Sequence, residues 1–475
     1  MTADLAMMPA WQLVKLFKAR KASPVEAAKA AIARIDAFNP QLNAFQHLDP
    51  DGALRAARAS EKRWKKGGKR LSDIDGVPIT IKDMVLTKGL PTRMGSLATD
   101  PDGPWTADAP AAQRLREAGT VLLGKTTSPE YGWKGVTDSR LFGATHNPWK
   151  IGRTPGGSSG GGVAAEAVGM GTLAVGTDGA GSVRIPCSFT GLFGLKPSRG
   201  RISLAPIGET LAGAGAQHAV TVSVRDSAAL LDALAGGAPG DPYAAPSAGS
   251  FLAATRQPPG RLRVAFMRKP VGGEALDPVL TGAIERTARL LESLGHEVEE
   301  ASPDYDAALL DAAFWLVMCA NTWTNIQVRA AGRVPGPDDL EPVTRIYAER
   351  GRTVSAEQYI RAVQAFHRTG RQLGAFLDRY DVLLSTTIAR THLPLGIVRM
   401  DGSADGFEKE VARMTPFTAV CNATGVPAMS VPLESTPEGL PVGLHFVARY
   451  GAEEKLFSLA AQLEEARPWR GRLPC

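Results

Sequence analysis

Short β-branched runs alternate with longer helical patterns along most of this chain. "GVPITIK", ending at Lys82, and Thr120–Leu123 read as buried strands. "APAAQRLREAG" between them reads as a helix stopped by Gly119. Upstream, "SPVEAAKAAIARIDAFN" predicts a helix with Ser23 as N-cap, Pro24 at the first helical position and Glu26 completing a capping box. "GGGVAAEAVGMGTLAVGTD" predicts a helix of small residues followed by a strand. In the second half, a strand at Arg263–Met267, a helix at Asp277–Leu294 stopped by Gly295, and a strand at His296–Glu300 follow in order. Two long helical patterns come next, Tyr305–Gly332 and Ser355–Tyr380, the second opening with a Ser355/Gln358 capping box. Strands at Val382–Ser385, Ala428–Leu433 and Val442–Val447 and a helix at Glu453–Ala466 close the series. Such alternation predicts an α/β fold with a central mixed, twisted sheet covered by helices on both faces.

The stretch Gly236–Gly260, rich in Gly, Pro, Ser and Ala, reads as a long surface connection. Because a β-α-β pattern resumes directly after it, one large domain over 1–475 is expected. Its parts are a helical N-terminal segment (1–65), a core (66–235), the connection (236–262) and a second part of the sheet (263–475). A helical insertion is expected at about 305–380. No internal repeat is evident.

Composition narrows the class. Of 475 residues, 44% are hydrophobic and 21% charged, which is globular composition. The net charge of +6 is mild, and the basic run Lys62–Arg70 suits a solvated helix end whose cations face the negative pole. No nucleic-acid-binding motif accompanies it, so no nucleic-acid partner is expected. Cys187, Cys319, Cys421 and Cys475 lie far apart without metal-type spacing, which predicts a reducing compartment, no disulfide framework and no metal. No basic start followed by an apolar run opens the chain, and no stretch approaches the roughly 18 apolar residues of a membrane span. The expectation is a soluble cytoplasmic protein with no membrane partner; a homodimer is compatible with it.

Chemistry concentrates in "GRTPGGSSGGGVAAEAVGMGTLAVGTDGAGSVRIP", Gly152–Pro186, where serines are wrapped in glycine with no histidine. Two lookalikes fail on context. "GTVLLGKT", Gly119–Thr126, has P-loop spacing, but the residues between its glycines are themselves the strand and Pro129 follows. "GGSSG", Gly156–Gly160, has nucleophile-elbow spacing, but the prolines upstream make a poor preceding strand. A plain Gly/Ser linker would be polar on both sides, whereas this one abuts apolar segments. Later histidines (His218, His296, His367, His392, His445) keep a Ser-His-Asp hydrolase open as a rival. A serine enzyme with another base fits the stretch better. Serine needs a base to become a nucleophile, and its attack on a carbonyl needs N–H donors for the oxyanion. "TDGAGS" offers the amides of Gly179, Ala180, Gly181 and Ser182, and Ser158 precedes the small-residue helix. Lys82 is the base candidate, although by composition alone a snorkelling structural lysine is the commoner reading.

"DGVPITIKD", "GRTPGGSSGGG" and "GTDGAGSVRIPCSFTGLFGLKPS" resemble the amidase signature family in order, content and spacing. Ser158 and Ser182 stand 24 positions apart, as the family's two catalytic serines do. A weaker likeness extends over nearly the whole chain, including "TAVCNATGVPAMSVPL" and "GLPVGLHFVARYGAEEKLFSLAAQLE". The resemblance implies the amidase signature fold and hydrolysis of C–N bonds in neutral carboxamides through an acyl-enzyme, without cofactor. It implies Ser182 as nucleophile, Ser158 as bridging serine after a cis Gly157–Ser158 bond, and Lys82 as base, with Ser159, Thr177, Asp178 and Arg184 supporting the turn. Ala180 departs from the glycine usual there.

"SPEYGWKGVTDS" and the region around "AQHAVTVSVRDSAALLDALAGG" look most like bacterial stand-alone amidases of the 6-aminohexanoate-cyclic-dimer hydrolase and aryl acylamidase type. That implies small-molecule amide substrates that are aryl, linear or cyclic, with carbamates (urethanes) as a side activity. Tyr131, Trp133, Cys319 and Asn321 are the candidate pocket residues. The rivals within the resemblance are the amide-cleaving component of a glutamine-dependent amidotransferase, which works with partner subunits, and a non-catalytic descendant.

Overall fold

The computed structural model describes residues 4–65, 70–208, 210–330 and 334–474. Among the described residues thirteen strands follow in chain order. They are β1 (Phe45–Leu48), β2 (Pro78–Lys82), β3 (Val121–Thr126), β4 (Asp138–Ser139), β5 (Gly143–Ala144), β6 (Leu173–Asp178) and β7 (Phe193–Lys196). After them come β8 (Ala216–Thr221), β9 (Arg263–Phe266), β10 (Glu297–Glu300), β11 (Val382–Thr386), β12 (Ala428–Ser435) and β13 (Pro441–Val447). β4 and β5 form a small separate hairpin. The other eleven make one mixed sheet in the order β1-β3-β2-β6-β8-β7-β12-β13-β11-β9-β10. β3, β2 and β6 run parallel, as do β11, β9 and β10, and antiparallel pairs join these two parallel triplets.

Alternation along the strands feeds two apolar layers. Val382 and Leu384 join a core with Val442, Leu444 and Phe446 of β13, while Leu383, between them, joins a second core with Val447. The first layer is closed by helices Val224–Leu234, Pro278–Ser293 and Glu453–Ala466 through residues such as Leu230, Ile284 and Phe457. The second is closed by helices Ala307–Arg329, Pro342–Arg352 and Ala356–Arg379 through Val317, Tyr347 and Phe366. This is an α/β fold with a large mixed sheet flanked by helices.

Both capping boxes form, at Ser23/Glu26 and Ser355/Gln358. The strand read as Thr120–Leu123 instead runs Val121–Thr126, because β2 continues to offer partners as far as the Lys82–Thr126 pair. Lys125, the P-loop lysine of the lookalike, is buried and donates to the Val85 carbonyl and to the hydroxyls of Thr87 and Thr92. The helix read as Tyr305–Gly332 spans Ala307–Arg329 with Asp306 as N-cap; 331–332 lie outside the described residues, as do 66–69 of the basic run, Glu209 and Cys475. By length and composition alone this helix is long and apolar enough to cross a membrane, which corrects the expectation that no segment is. In the fold it packs against the helices Pro342–Arg352 and Ala356–Arg379. The connection carries only the short helix Phe251–Ala254, which pins it to the core through Phe251 against Phe457.

Candidate active site

Three segments meet where β2 and β6 end side by side. β2 delivers Lys82 at its last position, and β6 delivers Thr177 and Asp178. The Lys82 side chain is 1% exposed, so it does not snorkel. Its Nζ donates to Ser158 Oγ at 2.7 Å and to Thr177 Oγ1 at 2.8 Å. Burial pulls the Lys82 amine down to about 7, against the opposing pull of Asp178 and Asp83. Ser158 precedes the helix Gly160–Ala167, and the Gly157–Ser158 peptide bond is cis. Gly157 lies so close to the chain at Val136 that a Cβ there would sit 2.4 Å from the Val136 carbonyl oxygen. The Ser159 amide donates to the Ser182 carbonyl at 3.2 Å, and Ser159 Oγ donates to the Thr177 carbonyl at 3.1 Å, which ties the two serine loops together.

Asp178 organises the turn that carries Ser182. Its carboxylate accepts from the amides of Gly181 (2.7 Å) and Val183 (3.2 Å) and takes a two-pronged grip from Arg184 at 2.9 and 3.0 Å. Burial alone would raise Asp178, but Arg184 holds it below the usual carboxylate range. Asn422 Nδ2 donates to Asp178 and to the Ala214 carbonyl, and Arg184 reaches the Thr418 carbonyl and His445. Gly181 takes φ +128°, and a Cβ there would meet Thr418 Oγ1 at 2.5 Å, so this position requires glycine. Ala180 does not take a positive φ, so its methyl is accommodated. The donor set is smaller than the four amides that the sequence suggests. The Gly181 N–H is committed to Asp178, whereas the amides of Gly179, Ala180 and Ser182 donate to no described residue.

Ser158 and Ser182 open onto one cavity of about 1080 Å³, open mouth included. Its wall is largely apolar, with Met84, Tyr131, Trp133, Ile185, Leu211 and Phe314 among the lining side chains. The charged groups lining it are paired. Lys134 is held by Asp138 and Glu341, and Asp178 by Arg184. Three polar atoms of lining residues, Tyr131 Oη, Trp133 Nε1 and Gln217 Oε1, are buried without a hydrogen-bond partner among the described residues. No histidine lines the cavity among the described residues. His218 meets Ser227, His296 meets Gln462, and His392 meets the Pro441 carbonyl.

Tyr131 and Trp133 therefore line the cavity, and Cys319 and Asn321 do not. On the helix Ala307–Arg329 the inward stripe is Phe314, Met318 and Asn325. Cys319 is turned away, buried where its carbonyl packs against Gly351, and Asn321 Oδ1 accepts from Thr210 Oγ1 at 3.2 Å in an adjoining groove. Gln217, Thr418, Asn422 and Asn325 carry no sequence signal that singles them out. Thr418 and Asn422 stand within a motif that carries the family likeness, but no spacing rule ties them to Asp178.

The amidase family model matches residues 26–457. The 6-aminohexanoate-cyclic-dimer hydrolase of Pseudomonas sp. (strain NK87) is 34% identical over 97% of this chain and 95% of its own length. An acylamidase of Rhodococcus erythropolis is 33% identical over 99% and 98%. A solved 6-aminohexanoate cyclic dimer hydrolase complexed with substrate superposes with a TM-score of 0.91 at 33% identity, covering 99% of each chain. With the match spanning nearly the whole sheet and both serine loops, this chain belongs to the amidase family, hydrolases of carbon–nitrogen bonds other than peptide bonds.

Proposed function

We propose that this amidase cleaves neutral carboxamides through an acyl-enzyme on Ser182, with Ser158 as proton relay and Lys82 as base. The observation that carries the reading is the 2.7 Å contact between a buried lysine amine and Ser158, within the cavity that Ser182 shares. An uncharged Lys82 accepts the Ser158 proton as Ser158 takes that of Ser182, and Ser182 Oγ adds to the substrate carbonyl. The free amides of Gly179, Ala180 and Ser182 are the available donors for the resulting oxyanion. As the tetrahedral adduct collapses, the proton returns along the same hydroxyl to the departing nitrogen. Water then adds to the ester, with Ser182 as leaving group. Ser159, Asp178 and Arg184 hold the turn, and Thr177 Oγ1 accepts a hydrogen bond from Lys82.

An apolar wall without an unpaired charge among the described residues favours aryl and aliphatic amides, linear or cyclic. Trp133 Nε1 and Gln217 Oε1 supply one donor and one acceptor for an amide. Carbamates present the same carbonyl geometry and belong to the proposed range. The same wall disfavours the amidotransferase role, since free glutamine would leave its ammonium and carboxylate unpaired there. A cytoplasmic location is part of this proposal, supported by the free, buried Cys187, Cys319 and Cys421. Its test is a panel of anilides, linear and cyclic amides, carbamates and glutamine, run with Ser182→Ala, Ser158→Ala and Lys82→Met. Mass spectrometry should find an acyl adduct on Ser182 with a slow anilide. Turnover that survives Lys82→Met but dies with a histidine variant would refute the proposal.

A further inference from the structure

A second concavity of about 1580 Å³ adjoins the catalytic cavity and shares Ile207 and Asn325 with it. Because Ile207 and Asn325 line both, the two concavities meet at those residues. The helix Ala307–Arg329 forms the common wall. Phe314 and Met318 face the serines, Asn325 stands at the junction, and Asn321, Val328 and Arg329 face the outer part. The chemistry changes along that wall. The inner cavity is apolar with its charges paired, whereas the outer groove mixes the amide of Asn321 and the apolar Trp323 and Val328 with two guanidinium groups, Arg329 and Arg352. Among the described residues no carboxylate lines the groove, and neither arginine has an ion-pair partner there. Both arginines stand in the last turn of a helix, where cations are common, but here they share one groove with the opening of a catalytic cavity.

Taking the amidase reading as its basis, we infer that the outer groove is a leaving-group subsite for elongated oligoamides ending in a carboxylate. The scissile amide then lies at Ser182 with its acyl part in the apolar cavity. The amine side runs past Asn325, lays methylene segments on Trp323 and Val328, and brings its terminal carboxylate to Arg329 and Arg352. From Met318 to Arg329 the helix rises about 16 Å. A six-carbon ω-amino acid unit spans about 8 Å at the extension per bond of a peptide chain. Two such units on the amine side fill the groove.

The test uses N-benzoyl oligomers of 6-aminohexanoate with one, two or three units beyond the benzoyl amide, and reads benzoate release. Benzanilide, too short to enter the groove, reports on the serines alone. Expected is a rise in kcat/KM of about tenfold from one to two units, with little added by a third. Capping the terminal carboxylate as a methylamide should remove about threefold of that gain, and so should Arg352→Gln, an exposed change that threatens no packing. Raised salt should erode the same portion. Length-independent kcat/KM, or an equal gain for capped and free oligomers in wild type and Arg352→Gln, would overturn the inference while benzanilide turnover stands. Loss of benzanilide turnover in the wild type, or its survival in Ser182→Ala, would instead strike the amidase mechanism.

Discussion

The protonation of Lys82 makes the most demanding prediction. The structure moves its amine from the ordinary 10.5 to about 7, a change equivalent to about 5 kcal/mol between the two protonation states. Desolvation is the larger cause, and the carboxylates of Asp178 and Asp83 oppose it. At pH 7 about half of the molecules then hold a neutral Lys82, against roughly one in three thousand for an unshifted lysine. The neutral form is gained as pH rises through the folded value, so activity falls on the acid side. The population drops to about a tenth at pH 6 and about a hundredth at pH 5. Folding stability follows the same group. Between about 7 and 10.5 the unfolded chain holds a proton that the folded chain lacks, so this lysine's contribution rises with pH across that window. The assay is kcat/KM for a neutral anilide from pH 5 to 10.5, since this ratio reports groups of the free enzyme. A log-linear limb below pH 7 and a plateau above it are expected. Burial also draws Lys125 and Lys196 down and Glu130 and Glu464 up to about 7, so the limb must be assigned. Nitrogen-15 lysine NMR does this through the signal absent from Lys82→Met, whose midpoint should match the kinetic one. A limb that continues to pH 10, or no acid limb, refutes the neutral-amine mechanism.

Three further outcomes rest on separate contacts. Gly181→Ala forces a side chain onto φ +128° and into Thr418 and Ile185, displacing the amides beside Ser182. Its kcat should fall by about a hundredfold, with a lower melting temperature in calorimetry. Arg184→Met leaves Asp178 buried without its cation, and urea titration should show a loss of about 3–5 kcal/mol. Trp133→Phe keeps the ring and removes a donor that has no protein partner, so kcat/KM for anilides should drop about fivefold at unchanged melting temperature.

Local chemistry was legible where the cause is local. Ser23 and Ser355 announce their helices because a capping box is written in four residues, and both boxes form. The mixed sheet was legible because alternation feeds two layers. Less legible were the short strands β1, β7 and β8, which exist because neighbours pair with them; "FGLK" has no period long enough to read. Helix facing was the hardest property to read. "FWLVMCANTWTN" is helical on inspection, but whether Met318 or Cys319 meets the cavity depends on a rotation of about 100° that only the packing partners set. The same holds for Asn422, 244 positions from the Asp178 it braces. The Gly181 amide leaves the expected donor set for another reason, since an aspartate three residues earlier folds back onto it.

Buried lysines alone do not mark the site. Lys82, Lys125 and Lys196 are all drawn by burial to about 7, on neighbouring parts of one sheet. What separates them is where their acceptors lead. Lys125 donates to the Val85 carbonyl and two threonine hydroxyls beneath the 83–95 loop, so its proton has nowhere to travel but back. Lys196 meets the carbonyl of Pro197, an acceptor with no proton to exchange. Lys82 meets Ser158, whose hydroxyl both accepts and donates and which opens on the cavity that holds Ser182. A lowered amine basicity is shared by all three, while a partner able to hand a proton onward to that cavity belongs to one. Removing that onward step with Ser158→Ala should therefore abolish turnover while the Lys82 amine still titrates far below an ordinary lysine. An Ser158→Ala enzyme that keeps wild-type turnover would show that the relay is not the route.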